Sequence, residues 1–497
     1  MHVNFIHNIP FFSIFLAMFS GIITPFIKNG KYAQRVNSAM ILIVGIMSAI
    51  LFLNVTATGE SFTFMMGHFP APWGNELRAG PFEALMAITF SVVIWLTLAG
   101  GRTFIFEDVL SEKQNLFFIV VNLLFASMLA LIYTNDVFTG YVFIEINTIA
   151  SCALVMSKGK GESIVATIHY LIISLLGSGL FLMGLSLLYD ITGHLLMPSI
   201  QQSIFKLMQT GEYQLPFMVV VGFIVLGLSI KSALFPFHSM LPGAYQAATP
   251  SVSGILSGLV LKSYIILLIK IFYCVFSIDI IHSLKVTNVL FIFGVCGMVM
   301  GSVYALREVK IKRMLAYSSV AQIGYIFMGL GLGTHVGVIA ACFHILAHAV
   351  TKAMLFVCTG SLVDVSDKKD QIRNMRGAAH KNLIAGIAFT VGALSMVGVP
   401  LFAGFVSKIY FATASLYSPG KMAATLITLA ISMILNAMYF IPSVIAIWSL
   451  PTEKIERAPV EPWFAFSMIC FIVLNFALGI FYKPVIRILE LGIGLLS

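Results

Sequence analysis

Charge is scarce in this sequence: Asp, Glu, Lys and Arg make up 10% of its 497 residues, against roughly 25% in an ordinary soluble domain. With 59% apolar residues, 12% aromatics and a mean hydropathy of +0.99, the chain cannot clothe a water-facing surface, which excludes a soluble enzyme. Its apolar residues run in long uncharged blocks rather than heptads or short repeats, which excludes disorder, a coiled coil and a collagen-like fibre. Cysteine is sparse too. Cys152, Cys274, Cys296, Cys342, Cys358 and Cys470 stand singly in apolar stretches, never at the C-x-x-C spacing of a zinc or iron–sulfur site; such thiols pack as small apolar residues. A G-x-G-x-x-G after a strand and a P-loop are both missing, so no cofactor, metal, nucleotide site or covalent nucleophile is expected in this chain. Residues 1–27 lack the basic segment and A-x-A site of a cleaved signal peptide, so the first apolar stretch is expected to remain as a span.

What is present is a series of membrane spans. At about 20 residues each plus loops, the length allows on the order of 12 to 15 of them. The expectation is an all-α polytopic membrane protein with about fourteen: 8–27, 36–55, 80–100, 114–133, 137–156, 163–189, 215–240, 250–276, 286–305, 312–330, 334–360, 380–400 continuing to 416, 422–448 and 462–482. The polar stretches 57–79, 191–214 and 364–381 are expected as interhelical loops, with 197–209 a short amphipathic surface helix. Spans seven and twelve are both interrupted by proline, at Pro236 and Pro242 in GFIVLGLSIKSALFPFHSMLP and at Pro400 in SMVGVPLFAGFVSKIYFA. An internal proline removes a donor and frees carbonyls at a cost of about 3 kcal/mol, and paired interrupted helices point to a transport site at mid-membrane. The two breaks lie five spans apart, and a five-span unit begins each copy on the opposite side of the membrane. The expected organisation is therefore residues 1–110 as spans one to three, 111–280 as a first five-helix repeat, 281–450 as a second, inverted one, and 451–497 as the last span, each repeat containing one broken helix.

The net charge of +9 has a topological meaning rather than marking a nucleic-acid patch. Loops after odd-numbered spans hold eighteen cations, among them Lys28, Lys31, Arg35, Arg102, Lys312 and Lys454, whereas Arg78, Lys206, Lys270, Lys285, Lys421, Lys483 and Arg487 make seven on the other side. Basic loops stay in the cytoplasm, which places both termini outside a cell membrane. Four lysines remain, and all fall within spans: Lys231, Lys262, Lys352 and Lys408. With Glu145 in span five they would cost roughly 12–18 kcal/mol at about 2.5–3.5 kcal/mol each if they stood alone. An ionisable group so placed is read first as functional. Glu145 is too short to snorkel, and Lys231 is its expected partner. Lys262 follows the small residues Ser253, Gly254, Ser257 and Gly258, which permit close helix approach. His344, His348 and Lys352 recur every four residues and share one helix face; the spacing is compatible with a proton relay, with hydrogen-bonded structural histidines, or with a metal pair lacking a nearby third ligand. Lys408 is either a relay group or a snorkelling one, His238 a gate or a cap for carbonyls freed at the first break, and Asp136, at a span boundary, a cap or an entry residue.

These residues lie in motifs that resemble a known family. The runs GLSIKSALFPFHSMLPGAYQAATPSVSGILSGLVLKSYIILL, REVKIKRMLAYSSVAQIGYIFMGLG, FHILAHAVTKAMLF and VGVPLFAGFVSKIY, which lie in order within residues 115–445, resemble the signatures of proton-conducting antiporter-like membrane subunits. Such subunits occur in respiratory complex I, membrane-bound hydrogenases and Mrp-type sodium/proton antiporters. The segment GHFPAPWGNELRAG before span three and a lysine at 408 resemble the Mrp D type. The resemblance implies a fourteen-helix fold and a relay of Glu145, Lys231, Lys262, His344, His348, Lys352 and Lys408, with Pro236, His238 and Pro400 at the helix breaks. It also implies other membrane subunits as partners in a prokaryotic cell membrane, and protons, with or without sodium, as the ions moved. The alternative is the same kind of subunit in a redox-driven complex. The sequence departs from the family pattern at Met240, Gly243 and Tyr245, where Trp, Asp and His are usual. A solute transporter with one convergent pocket, or an inert scaffold, leaves the spread of buried charges unexplained.

Overall fold

The computed structural model describes residues 5–69, 74–209, 213–450 and 457–496. Lys454 and the middle of GHFPAPWGNELRAG lie outside them. The chain enters through α1 (Phe5–Ile23) and α2 (Gly30–Thr58), and then makes a hairpin of β1 (Phe62–Met65) and β2 (Glu76–Ala79), paired antiparallel with Phe62 opposite Ala79. Stretch 57–79 therefore differs from the expected plain loop. The bundle continues with α3 (Pro81–Gly100), α4 (Gln114–Tyr133), α5 (Val137–Val155), α6 (Gly161–Thr192) and the surface helix α7 (Met197–Met208). A broken pair follows, α8 (Gln214–Lys231) and α9 (Met240–Ala247). Next come α10 (Pro250–Phe276), α11 (Val286–Arg307), α12 (Ile311–Gly331) and α13 (His335–Asp364). The second broken pair is α14 (Leu383–Val397) and α15 (Ala403–Leu416), and the chain finishes with α16 (Pro419–Trp448), α17 (Pro462–Ile480) and α18 (Tyr482–Gly494).

Among the described residues thirteen helices are long and apolar enough to cross a membrane, and the interrupted α14–α15 pair makes the fourteenth span. The most apolar stretches of α10 and α13 are buried in full and that of α12 almost so, while α1, α2, α6, α16 and α17 turn most of theirs outward. Peripheral helices thus present Ile, Leu and Phe to lipid, and the motif-bearing helices form the core. Helix starts follow ordinary capping chemistry. Asp136 accepts from the Thr139 amide at 2.6 Å, Thr334 from Gly337 at 3.1 Å and Asn382 from Ala385 at 3.1 Å. Asp136 is thereby settled as a cap.

Both breaks are built locally. After α8 the chain passes Ala233 at φ +55° and Pro236 before restarting. After α14 it turns through Gly398 at φ +96° and Leu401 at φ +78°, with Pro400 between them. Gly404 lies so close to the end of α14 that a Cβ there would stand 1.9 Å from the Ser395 carbonyl oxygen. Only glycine lets the two halves of this span pass each other. Helix α10 is irregular as well, with π turns over Leu256–Val260 and Phe272–Phe276. Such turns widen the helix and recur at functional positions.

Candidate functional site

The interior is lined by the side chains that the sequence singles out. Lys231, Lys262, His344, His348, Lys352 and Lys408 are each at most 4% exposed, and Glu145 is half-buried on α5. At one end, Lys231 is the last residue of α8, and its ammonium donates to Thr148 Oγ1 at 2.5 Å. The expected ion pair is absent. Glu145 and Lys231 make no salt bridge, and Glu145 Oε1 has no hydrogen-bond partner among the described residues. Thr148 lies three residues beyond Glu145 on the same helix face, so the lysine meets the hydroxyl and the carboxylate stays in electrostatic range without contact. Lys231 also stands over the Tyr264 ring, 5.9 Å from its centroid, and the Tyr264 hydroxyl donates to Asn147 Oδ1 at 2.8 Å. Tyr264 thus leads from α8 to α10.

Lys262 lies two residues before Tyr264 on α10 and donates to the carbonyl of Ser257, inside the π turn. The widened turn supplies the acceptor for a lysine that has no carboxylate nearby. Ser257 Oγ in turn lies 2.8 Å from Ser319 Oγ on α12. On α13, Lys352 donates to the Leu315 carbonyl at 2.9 Å and to Ser318 Oγ. Lys262 and Lys352 are both in electrostatic range of His348, as are Lys262 and Lys408 of His344. The two imidazoles lie parallel with centroids 6.0 Å apart. His344 Nδ1 is 2.9 Å from Ser407 Oγ, whereas neither nitrogen of His348 has a partner among the described residues. Of the readings left open for this face, the structure supplies His344 with a hydroxyl partner. No group of three or more His, Cys, Asp or Glu comes together among the described residues.

At the far end Lys408 on α15 does not snorkel. It reaches back across the break to the C-terminal carbonyls of α14, Met396 and Val397, at 2.7 and 2.5 Å. A cation at a helix C-terminus satisfies freed carbonyls and the negative end of the helix dipole together. Tyr325 closes the gap, stacked on His344 at 5.4 Å with Lys408 5.7 Å from its centroid. His238 lies apart, with Nδ1 3.1 Å from the Pro236 carbonyl oxygen and its ring stacked between Phe235 and Tyr304. It caps its own turn and has no hydrogen bond to the buried lysines. Pro236 and Pro400 are exposed at the breaks and make no hydrogen bond to the buried lysines or to His344 and His348.

Sequence reasoning missed two things. One is the neutral chemistry between the lysines: Thr148, Tyr264, Ser319, Ser407 and Tyr325, together with the hydroxyl of Ser257, which the sequence marked only as a small residue. Hydroxyls within a turn of a buried lysine were the available signal. The other is a buried ion cluster. Glu83, 1% exposed on α3, accepts from Arg78 at 2.9 Å and faces Lys270 at 3.7 Å. Arg78 and Lys270 are therefore not loop cations. Lys270 is fully buried on α10 and donates to the carbonyls of Ile132 and Thr134 at 2.8 and 2.6 Å. Lys312, expected in a basic loop, is buried against the Ala248 carbonyl at 2.8 Å.

Comparison with known proteins identifies the family and the fold. Residues 134–444 match the family described as NADH:quinone oxidoreductase/Mrp antiporter, TM. The chain is 33% identical over 399 residues to NADH-quinone oxidoreductase subunit N of Desulforudis audaxviator, covering 79% of this chain and 76% of the relative. It is 27% identical over 462 residues to the D-type Na(+)/H(+) antiporter subunit of Alkalihalophilus pseudofirmus, covering 93% and 88%. Among solved structures it resembles a chain of the membrane-bound sulfane sulfur reductase, an archaeal respiratory membrane complex, with 27% identity, a TM-score of 0.87 and coverage of 99% and 97%. A chain of the Mrp complex from Dietzia sp. shares the fold, with 21% identity, a TM-score of 0.88 and coverage of 99% and 98%.

Proposed function

The chain belongs to the NADH:quinone oxidoreductase/Mrp antiporter transmembrane family, and on that premise we propose that it passes protons along the file from Glu145 to Lys408 within an Mrp-type cation/proton antiporter complex. It is an antiporter-like, ion-translocating subunit of a multi-subunit membrane assembly. One observation carries the residue assignment. Lys231, Lys262, Lys352 and Lys408 each rest on neutral acceptors, a hydroxyl or a carbonyl, and none touches a carboxylate. A salt bridge would hold the ammonium charged. A neutral acceptor brings no counter-charge to hold the proton on the amine. A proton crossing 100 mV releases about 2.3 kcal/mol, whereas a tenfold change in a protonation equilibrium takes about 1.4 kcal/mol. The drive on one proton is therefore enough to switch one lysine, and the next lysine feels the change through the intervening Tyr264, His348, His344 or Tyr325.

The repeat boundaries at 111–280 and 281–450 belong to this reading: each broken span carries a lysine at its break, Lys231 in the first and Lys408 in the second. The imbalance of basic loops supports an orientation with both termini outside, and the similarity to subunits of Desulforudis audaxviator and Alkalihalophilus pseudofirmus supports a prokaryotic plasma membrane. A redox-driven complex is the second reading, favoured by the relatives of NADH-quinone oxidoreductase and sulfane sulfur reductase type. Purification from the native membrane in mild detergent, followed by mass spectrometry, separates the two. Small hydrophobic partners alone are expected. Iron–sulfur, flavin or nickel subunits in the same particle would transfer the chain to the redox arm. Within either complex, His348→Ala is expected to slow proton transfer in reconstituted vesicles on the order of tenfold to a hundredfold and to move its pH profile. An unchanged rate and profile would remove His348 from the relay.

A further inference from the structure

Away from the relay, α2, α3 and α17 leave a slot between them on the outer surface of the bundle. Its walls are apolar: Leu42 and Ile46 from α2, Val92 from α3, and Ile469 and Val473 from α17 enclose about 540 Å³. At one end it opens into a cup of about 410 Å³ of different chemistry, lined by Gln34, Arg35, Arg102 and Trp463. Leu42 and Trp95 line both spaces, so the two are continuous. The cup is basic and uncompensated. Neither arginine forms a salt bridge among the described residues. The nearby carboxylate of Glu461 is held instead by Thr103 Oγ1 at 2.5 Å. The Trp95 indole Nε1, buried at the junction, has no acceptor among the described residues. Trp95, Trp463 and Phe466 pack edge to face at 6.1 to 6.5 Å and brace the mouth.

We propose that this slot is a binding site for one anionic phospholipid, with an acyl chain along α2, α3 and α17 and the phosphate between Arg35 and Arg102. The charge pattern decides the occupant. Arg35 and Arg102 stand over the Tyr32 and Phe106 rings but have no carboxylate partner among the described residues; a net-neutral lipid would leave that charge unbalanced, and a free anion leaves the apolar slot unfilled. Basic pockets between membrane helices at the headgroup level suit anionic lipids, and arginine pairs with phosphate in a bidentate fork. The cup lies on the side of Lys28 and Lys31, where the excess of basic loops sits.

The test uses the full chain in lipid nanodiscs with Trp73→Phe and Trp448→Phe, so that Trp95 and Trp463 alone report. Fluorescence quenching is then titrated with phosphatidylglycerol or phosphatidylcholine, each brominated on its acyl chains. Phosphatidylglycerol is expected to quench at a mole fraction roughly 10- to 30-fold lower, because no choline cation cancels its negative charge beside the two arginines. Arg35→Gln with Arg102→Gln should bring it level with phosphatidylcholine. Equal quenching by both lipids before the arginines are changed would reduce the slot to ordinary annular lipid and overturn the proposal. Protection from both lipids would overturn it as well, since a protein segment would then fill the slot.

Discussion

Replacing Lys262 by alanine is expected to abolish proton translocation, by a factor on the order of 100 or more, while the complex still assembles. Lys262 is fully buried on α10 and its amine is satisfied by the Ser257 carbonyl in the π turn. Removing it deletes a costly buried charge along with some packing, and these oppose each other in stability. No such compensation is expected for transport in the proposed relay, where Lys262, in electrostatic range of both His344 and His348, would join the two halves of the file. Lys262→Arg sharpens the experiment. Arginine keeps the charge but does not release its proton in a protein, so a relay lysine requires this variant to be inactive too. Full activity with arginine would make the group a fixed positive charge, and loss of the assembled complex with alanine would make it a structural one.

Lys262 was legible in the sequence because an ionisable group among Ile, Leu and Val carries a penalty that only function or a partner explains. The same reasoning marked Lys231, Lys352 and Lys408, and the prolines at 236 and 400 marked the broken spans. What hydropathy does not encode is rotation within a turn. Glu145 and Thr148 share a helix face, and which one meets Lys231 depends on helix packing to within an ångström or two. Tyr264 and Tyr325 are indistinguishable in a sequence from ordinary core aromatics; their roles come from neighbours on other helices. Lys270 was misplaced for a different reason. Near a helix end, a lysine with a four-carbon stem reads as an interfacial cation, and nothing in the local sequence says that α3 delivers Glu83 to it. The hairpin was missed because pairing between 62–65 and 76–79 is not a local property of either strand.

That missed cluster carries the largest expected effect on stability. Glu83→Gln should destabilise the folded chain by about 3–5 kcal/mol, the cost of breaking a buried ion pair by removing one partner. Glu83 accepts from Arg78 at 2.9 Å with one oxygen and from the Gly80 amide at 3.0 Å with the other, so it joins the hairpin to the first turn of α3. Arg78 also donates to the Leu495 carbonyl near the end of the chain, and Lys270 ties α10 to the C-terminal end of α4. Glutamine keeps the shape but leaves two buried cations facing each other with no anion between them. Lys270→Met added to Glu83→Gln removes one of the two, so the double variant should melt above the single one in detergent. Ordinary additive losses would lower it further. A Glu83→Gln protein that melts with the parent would mean that the backbone carbonyls of Ile132, Thr134 and Leu495 hold Arg78 and Lys270 unaided, and that the carboxylate is not what stabilises this corner of the bundle.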